Sequence, residues 1–135
     1  GLKLDIKFND DTAYSIFNLS NLYSGFPSII HGGIQASIID EIGFWAMFNS
    51  RKQIGFTQKL EVQYISKIET DTDLKVEGRE TFNENNNSEI EVGIYCESQL
   101  KTKGLVSYKL ISDSAIKRMF GEEFYQEFMR SFRYD

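Results

Sequence analysis

A single cysteine, Cys96, rules out an internal disulfide framework and a cysteine zinc cluster, and it fits a reducing, cytoplasmic compartment. A single histidine, His31, leaves no histidine-based metal site. Positive charge is short as well. Fifteen Lys and Arg stand against 20 Asp and Glu, a net charge of −5, and the cations are scattered singly. Nucleic acid, which is gripped by basic stripes, is therefore not an expected partner. No apolar run reaches membrane-spanning length and no signal peptide is visible, so membrane insertion is not expected either. The chain opens on Gly1 rather than Met, which leaves a trimmed leader open. No repeat, low-complexity tract or linker divides it.

What remains is 135 residues, one domain by length and enough to bury a core. Residues 2–8 alternate Leu2, Leu4, Ile6 and Phe8 against Lys3, Asp5 and Lys7, the period of a half-buried strand. Asn9-Asp10-Asp11 turns the chain into a returning strand over 12–18. Residues 19–30 are irregular and hold the only proline, Pro27. A helix is predicted over 31–49, then strands over 56–66, 73–82, 89–98 and 105–111. Asn83–Ser88 forms a polar hairpin loop, and Lys101–Gly104 turns the chain into the last strand. In the tail, 113–135, Phe120, Phe124, Phe128 and Phe132 recur every four residues, as on one face of a helix. Ser112 or Ser114 caps it, and Gly121 splits it in two. A sheet with alternating faces must bury one of them. The expected fold is therefore α+β, a curved antiparallel sheet wrapped around one long central helix.

That helix carries the chemistry. His31-Gly32-Gly33 opens an apolar run that only Asp40 and Glu41 interrupt before Phe44-Trp45-Ala46-Met47-Phe48. A helix this apolar is expected to be buried on most sides, where a carboxylate is costly unless paired or used. Glycines at a helix N-terminus leave bare N–H groups that can cradle a developing oxyanion.

His31-Gly32-Gly33, six further residues and Asp40 resemble the hallmark of the hotdog fold, specifically the PaaI-like acyl-CoA thioesterases. Gly55-Phe56-Thr57 with Leu60, Val62, Tyr64 and Ile65, and the following Leu74–Arg79, are similar to two of that family's strands. The resemblance covers 2–111 and implies a hotdog domain over 1–111, with a C-terminal helical extension over 112–135 packed on it or on a neighbouring subunit. It implies thioester hydrolysis with no cofactor beyond the coenzyme A of the substrate, in a homodimer or homotetramer. Two positions depart from the pattern. Lys67 ends the stretch where the family has proline, and Gly25 stands where some members place an Asn. Asn21 is nearby but out of register.

Gly32 and Asp40 lie eight residues apart, about 12 Å along one helix, so they cannot serve one carbonyl. Two antiparallel helices at a dimer interface can, one giving the Gly32 N–H and the other Asp40. Asp40 would act as general base or as nucleophile. Gly33, Thr57 and Glu41 complete the catalytic candidates, Glu41 as the base should Asp40 not be. Strand parity, however, sets Thr57 with Lys59 and Glu61 on the polar face. His31, Ser37 and Arg79 are the candidate substrate contacts, with Lys67, Lys101 and Lys103 as further partners for coenzyme A phosphates. Plainer readings stand beside these. The glycine pair forms a tight turn, Asp40 bonds Ser37 one turn earlier, His31 packs the helix start, Cys96 fills core, and the Phe stripe packs rather than forming a lid. A non-catalytic acyl-CoA binding module is the alternative function. Hydratase chemistry is disfavoured because no histidine pairs with an acid or Asn in the required pattern.

Overall fold

The computed structural model describes residues 3–133, with side chains to residue 131. Leu2 and the Phe132 side chain, both part of the patterns above, lie outside the described residues. Strands β1 (Lys7–Asn9) and β2 (Thr12–Phe17) form a hairpin. Only the end of the expected first strand pairs, although Leu4 and Ile6 still pack on the core. A 3-10 turn (Asn21–Tyr23) and a small ribbon of β3 (Ser24–Phe26) and β4 (Ile29–Ile30) lead to α1 (Gly32–Arg51). Then come β5 (Ile54–Tyr64), β6 (Leu74–Glu84), β7 (Asn87–Cys96), β8 (Gln99–Ile111), α2 (Asp113–Phe120) and α3 (Glu122–Arg133).

The large sheet is antiparallel, in the order β1-β2-β6-β7-β8-β5, so β5 is an edge strand. It curves around α1. Ile38, Ile39, Ile42, Ala46 and Met47 meet Val76, Ile90, Val92, Ile94 and Val106 in one continuous core. The outward row Gly33, Ser37 and Glu41 is exposed, so the helix is less enclosed than its composition suggests. It ends where Lys52 takes the left-handed conformation (φ 55°) and bonds back to the Phe48 carbonyl. There Glu80 of β6 accepts from the Arg51 guanidinium and from the buried Ser88 hydroxyl. That bonding holds the guanidinium above its usual pKa, against the opposing effect of burial.

Both late hairpins close on two residues of positive φ, Asn85-Asn86 and Glu97-Ser98. The second replaces the expected turn at Lys101–Gly104, which lies within β8. Asn-Asn is a common left-handed pair, whereas Glu-Ser carries no such signal. The tail splits at Gly121 (φ 97°), and the Ser112 hydroxyl caps α2 by accepting from the Ala115 N–H. Buried Ile116 joins Phe48 and Ile54 in a second cluster. Phe128 lies parallel to Trp45 at 5.9 Å and edge-on to Phe48 at 5.2 Å, which covers the apolar C-terminal half of α1.

Candidate active site

The start of α1 is built by its first residues. His31 caps the helix, its Nδ1 accepting from the Gly33 N–H at 2.8 Å. The Ile34 and Gln35 N–H groups both donate to the His31 carbonyl. Gly32 is left as the first-turn residue whose N–H has no acceptor among the described residues, while the Gly33 amide is already engaged. Tyr64, at the far end of β5, donates its hydroxyl to the Gly32 carbonyl at 2.7 Å. Its ring lies so close that a Cβ on Gly32 would sit 3.2 Å from it. Behind this turn the buried Gln35 donates to the Ile30 carbonyl and accepts from Thr102 of β8, tying the helix start to the sheet.

Two turns later Asp40 is half-buried between α1, β5 and β8. Its Oδ1 accepts from the Thr57 hydroxyl at 3.0 Å and from the Tyr108 hydroxyl at 3.0 Å. The Tyr108 hydroxyl also lies 2.9 Å from the Asp40 carbonyl oxygen, a three-centre arrangement. No donor to Oδ2 exists among the described residues.

Thr57 reaches Asp40 because the pairing of β5 with β8 shifts between Thr57 and Lys59. This bulge inserts Gln58 and reverses the face on which later residues point. Thr57, opposite Tyr108, thus shares the α1-facing side with Leu60, Val62 and Tyr64, opposite Val106, Gly104 and Thr102. The simple alternation that placed Thr57 among polar outward residues is corrected by this one residue.

Tyr108 is absent from the candidates that the sequence offers. It belongs to the buried core, and burial, reinforced by the neighbouring Asp40, pushes its phenol far above the usual range, so it stays a donor. A signal for it was present in Gly43. A glycine inside a helix costs about 1 kcal/mol relative to alanine. Here a Cβ on Gly43 would stand 2.7 Å from the Tyr108 hydroxyl, so only glycine lets the phenol reach Asp40.

The other candidates lie elsewhere. Glu41 is exposed and accepts from the Trp45 indole at 3.3 Å, one residue around the helix from Asp40. Ser37 donates to the Gly33 carbonyl at 3.1 Å, so the reading that pairs it with Asp40 does not hold. Arg79 is on the outer face of the sheet, opposite α1, where it lines a shallow hollow with Glu77, Glu91 and Lys103. Lys67 pairs with Glu69 at 3.7 Å. Gly25 packs on His31, where a Cβ would meet the imidazole at 3.2 Å. Among the described residues no three metal-ligating side chains converge, and no helix is long and apolar enough to cross a membrane.

Comparison with known proteins places this geometry. The sequence pattern of the thioesterase superfamily matches residues 28–103, more than half of the chain and a span that includes Gly32, Asp40 and Thr57. A search of curated proteins found no match. Among solved structures, the chain is similar to a hypothetical thioesterase protein with coenzyme A from Streptococcus pneumoniae TIGR4. That match has 17% identity and a TM-score of 0.74, over 82% of this chain and 90% of that one. A thioesterase superfamily protein from Shewanella loihica PV-4 matches at 18% identity and a TM-score of 0.67, over 81% of this chain and 91% of that one. A further thioesterase superfamily protein, RHA08564, matches at 18% identity and a TM-score of 0.69 over 74% of this chain, which spans only 49% of that longer one. At these identities the structural matches speak to the fold, and the sequence pattern speaks to the family. A six-stranded antiparallel sheet around a long helix, with the matched pattern running through both, shows that the chain belongs to the thioesterase superfamily and adopts the hotdog fold.

Proposed function

We propose that the chain is a PaaI-like acyl-CoA thioesterase of the cytoplasm, working as a homodimer or a pair of dimers with each site shared between two protomers. Asp40 is the base or nucleophile, and the Gly32 N–H of the opposite subunit polarises the thioester carbonyl of the substrate. The observation that carries this reading is β5. It is an edge strand whose α1-facing side binds Asp40 at one end, through Thr57, and the Gly32 turn at the other, through Tyr64. A twofold axis beside the middle of β5 turns the second copy end for end. It then sets Gly32 of one protomer toward Asp40 of the other, the pairing that the ~12 Å separation within one helix forbids. Leu60, Tyr64 and Ile65 are exposed along that edge, as a contact between copies requires. The coenzyme A with the pneumococcal relative supports a coenzyme A thioester as substrate.

Water or the carboxylate then attacks the thioester carbon. The carbonyl oxygen takes up negative charge against the Gly32 N–H and the positive end of the helix dipole, and the C–S bond breaks to release the thiol. Thiol release from acetyl-, octanoyl-, palmitoyl- and benzoyl-CoA tests the assignment, with Asp40→Asn alongside. Turnover on one of these, reduced at least about 100-fold in the variant while sedimentation still reports a dimer, is the expected result. Unchanged turnover in Asp40→Asn removes Asp40 from the chemistry. The second reading, a non-catalytic acyl-CoA binding module, rests on Gly25, which packs on His31 at a position where the family resemblance implies an Asn in some members, and on the added Phe-rich tail. It predicts a raised melting temperature with acyl-CoA and no thiol release.

A further inference from the structure

We infer that Tyr108 is a positioning residue of the reaction, locking the Asp40 carboxylate so that Oδ1 is fully occupied and Oδ2 alone faces the reacting thioester or its water. This rests on the thioesterase reading above.

Three observations converge. Two hydroxyl donors from different strands, Thr57 of β5 and Tyr108 of β8, meet the same oxygen at 3.0 Å each. A carboxylate on a two-torsion side chain has little rotational freedom once one oxygen is held from two directions, and its other oxygen is thereby aimed. The phenol also lies 2.9 Å from the Asp40 carbonyl, so it fixes the backbone and the side chain of one residue together. Finally, the helix carries glycine at residue 43, where a Cβ would stand 2.7 Å from the hydroxyl and 3.3 Å from Val106. The Gly43–Tyr108–Asp40 contact is the feature of this stretch of α1 that requires the missing side chain.

Tyr108 touches neither thiol nor carbonyl in this scheme and acts through Asp40. On the general-base route Oδ2 takes a proton from water, the resulting hydroxide bonds to the carbonyl carbon, the C–S bond breaks, and that proton passes to the departing thiolate. On the nucleophilic route Oδ2 itself bonds to the carbonyl carbon as the C–S bond breaks, and a water then cleaves the anhydride to the free acid and the Asp40 carboxylate, its other proton going to the thiolate.

The test compares wild type with Tyr108→Phe, Thr57→Val, the double variant, and Gly43→Ala, on whichever acyl-CoA of the four above the wild type hydrolyses fastest. Misaligning a reacting atom by a fraction of an ångström lowers kcat without loosening the substrate. Tyr108→Phe is expected to lose about 10- to 100-fold in kcat with KM within about two-fold of wild type. Because both hydroxyls hold one oxygen, the double variant is expected to lose clearly less than the product of the single losses. Gly43→Ala keeps both groups but forces them apart, and should reproduce the kcat loss. Full kcat in Tyr108→Phe, a change confined to KM, or strictly multiplicative losses overturns the positioning role while leaving the thioesterase reading intact. Should Tyr108→Phe fail to fold, Gly43→Ala and Thr57→Val decide the question, full kcat in Gly43→Ala overturning the role. Absence of thiol release by the wild type overturns the enzyme reading, and the role of Tyr108 with it.

Discussion

Replacing Tyr108 by Phe also changes how stability depends on pH, with a sign that can be worked out beforehand. At neutral pH the variant loses a hydrogen bond to a carboxylate. Asp40 is half-buried and regains water, so the cost is about 1–2 kcal/mol, toward the low end for such bonds. In the folded protein burial, helped by Asp40, raises the phenol pKa above its unfolded value of 10.0. The folded state therefore holds this proton more tightly than the unfolded state does. Its contribution is complete below about pH 10 and drains away above it, because only the unfolded chain gains by ionising. One pH unit past that point the unfolded state has gained about 1.4 kcal/mol from this group alone. Phe has no proton to lose. The stability gap between wild type and Tyr108→Phe should stand at about 1–2 kcal/mol from pH 7 to 9 and close to nearly nothing by about pH 11. Urea unfolding of both proteins at pH 7, 9, 10 and 11 measures it. A gap that stays constant through pH 11 would refute the burial of a protonated phenol against Asp40.

Two further outcomes concern the frame around the site. Phe128→Ala empties the slot between Trp45 and Phe48, and since Phe128 is only half-buried the loss is expected at about 2–3 kcal/mol by urea unfolding, below the fully buried range. A change under about 0.5 kcal/mol would mean that the tail is not held by this cluster. Glu80→Ala leaves the Arg51 guanidinium partly buried without its carboxylate, and because Arg51 keeps 32% side-chain exposure the cost should be about 2 kcal/mol rather than the full value for a buried pair. Thermal melts that coincide with wild type would assign the pair no structural weight.

Much of the fold is legible because its signals are local. The helix is marked by His31 as cap, by apolar spacing and by a polar end, and α1 departs from the expected 31–49 by only a residue or two at each end. The tail is readable for the same reason, since four-residue spacing of Phe and a single Gly121 encode two helices and their break. Departures fall where one residue resets the strand beyond it. The bulge at Gln58 has no compositional mark, yet it decides which face Thr57 joins. The turn at Glu97-Ser98 puts two unfavoured residues in the left-handed region, while Lys101–Gly104 imitates a turn inside a strand. The Asp40–Thr57 side of the site can be suspected from residues 17 apart, but Tyr108 lies 68 residues from Asp40 and looks like one more apolar strand position. Arg79 lies away from the site for a related reason. Nothing local says which side of a sheet an outward cation serves.

The edge strand has one more consequence, for fidelity of assembly. An eleven-residue strand with one side unbonded among the described residues invites any extended segment, including a misaligned copy of itself. Mid-strand, Lys59 and Glu61 flank Leu60 and pair with each other at 2.8 Å. An antiparallel copy centred on Leu60 sets Lys59 across from Glu61 on both sides of the axis. Sliding that copy by two residues in one direction sets Lys59 across from Lys59, and in the other Glu61 across from Glu61, so like charges meet. In the proposed dimer, three consecutive residues would thus act as a checksum, rejecting the slipped alignments that would leave Asp40 beside the wrong part of its neighbour.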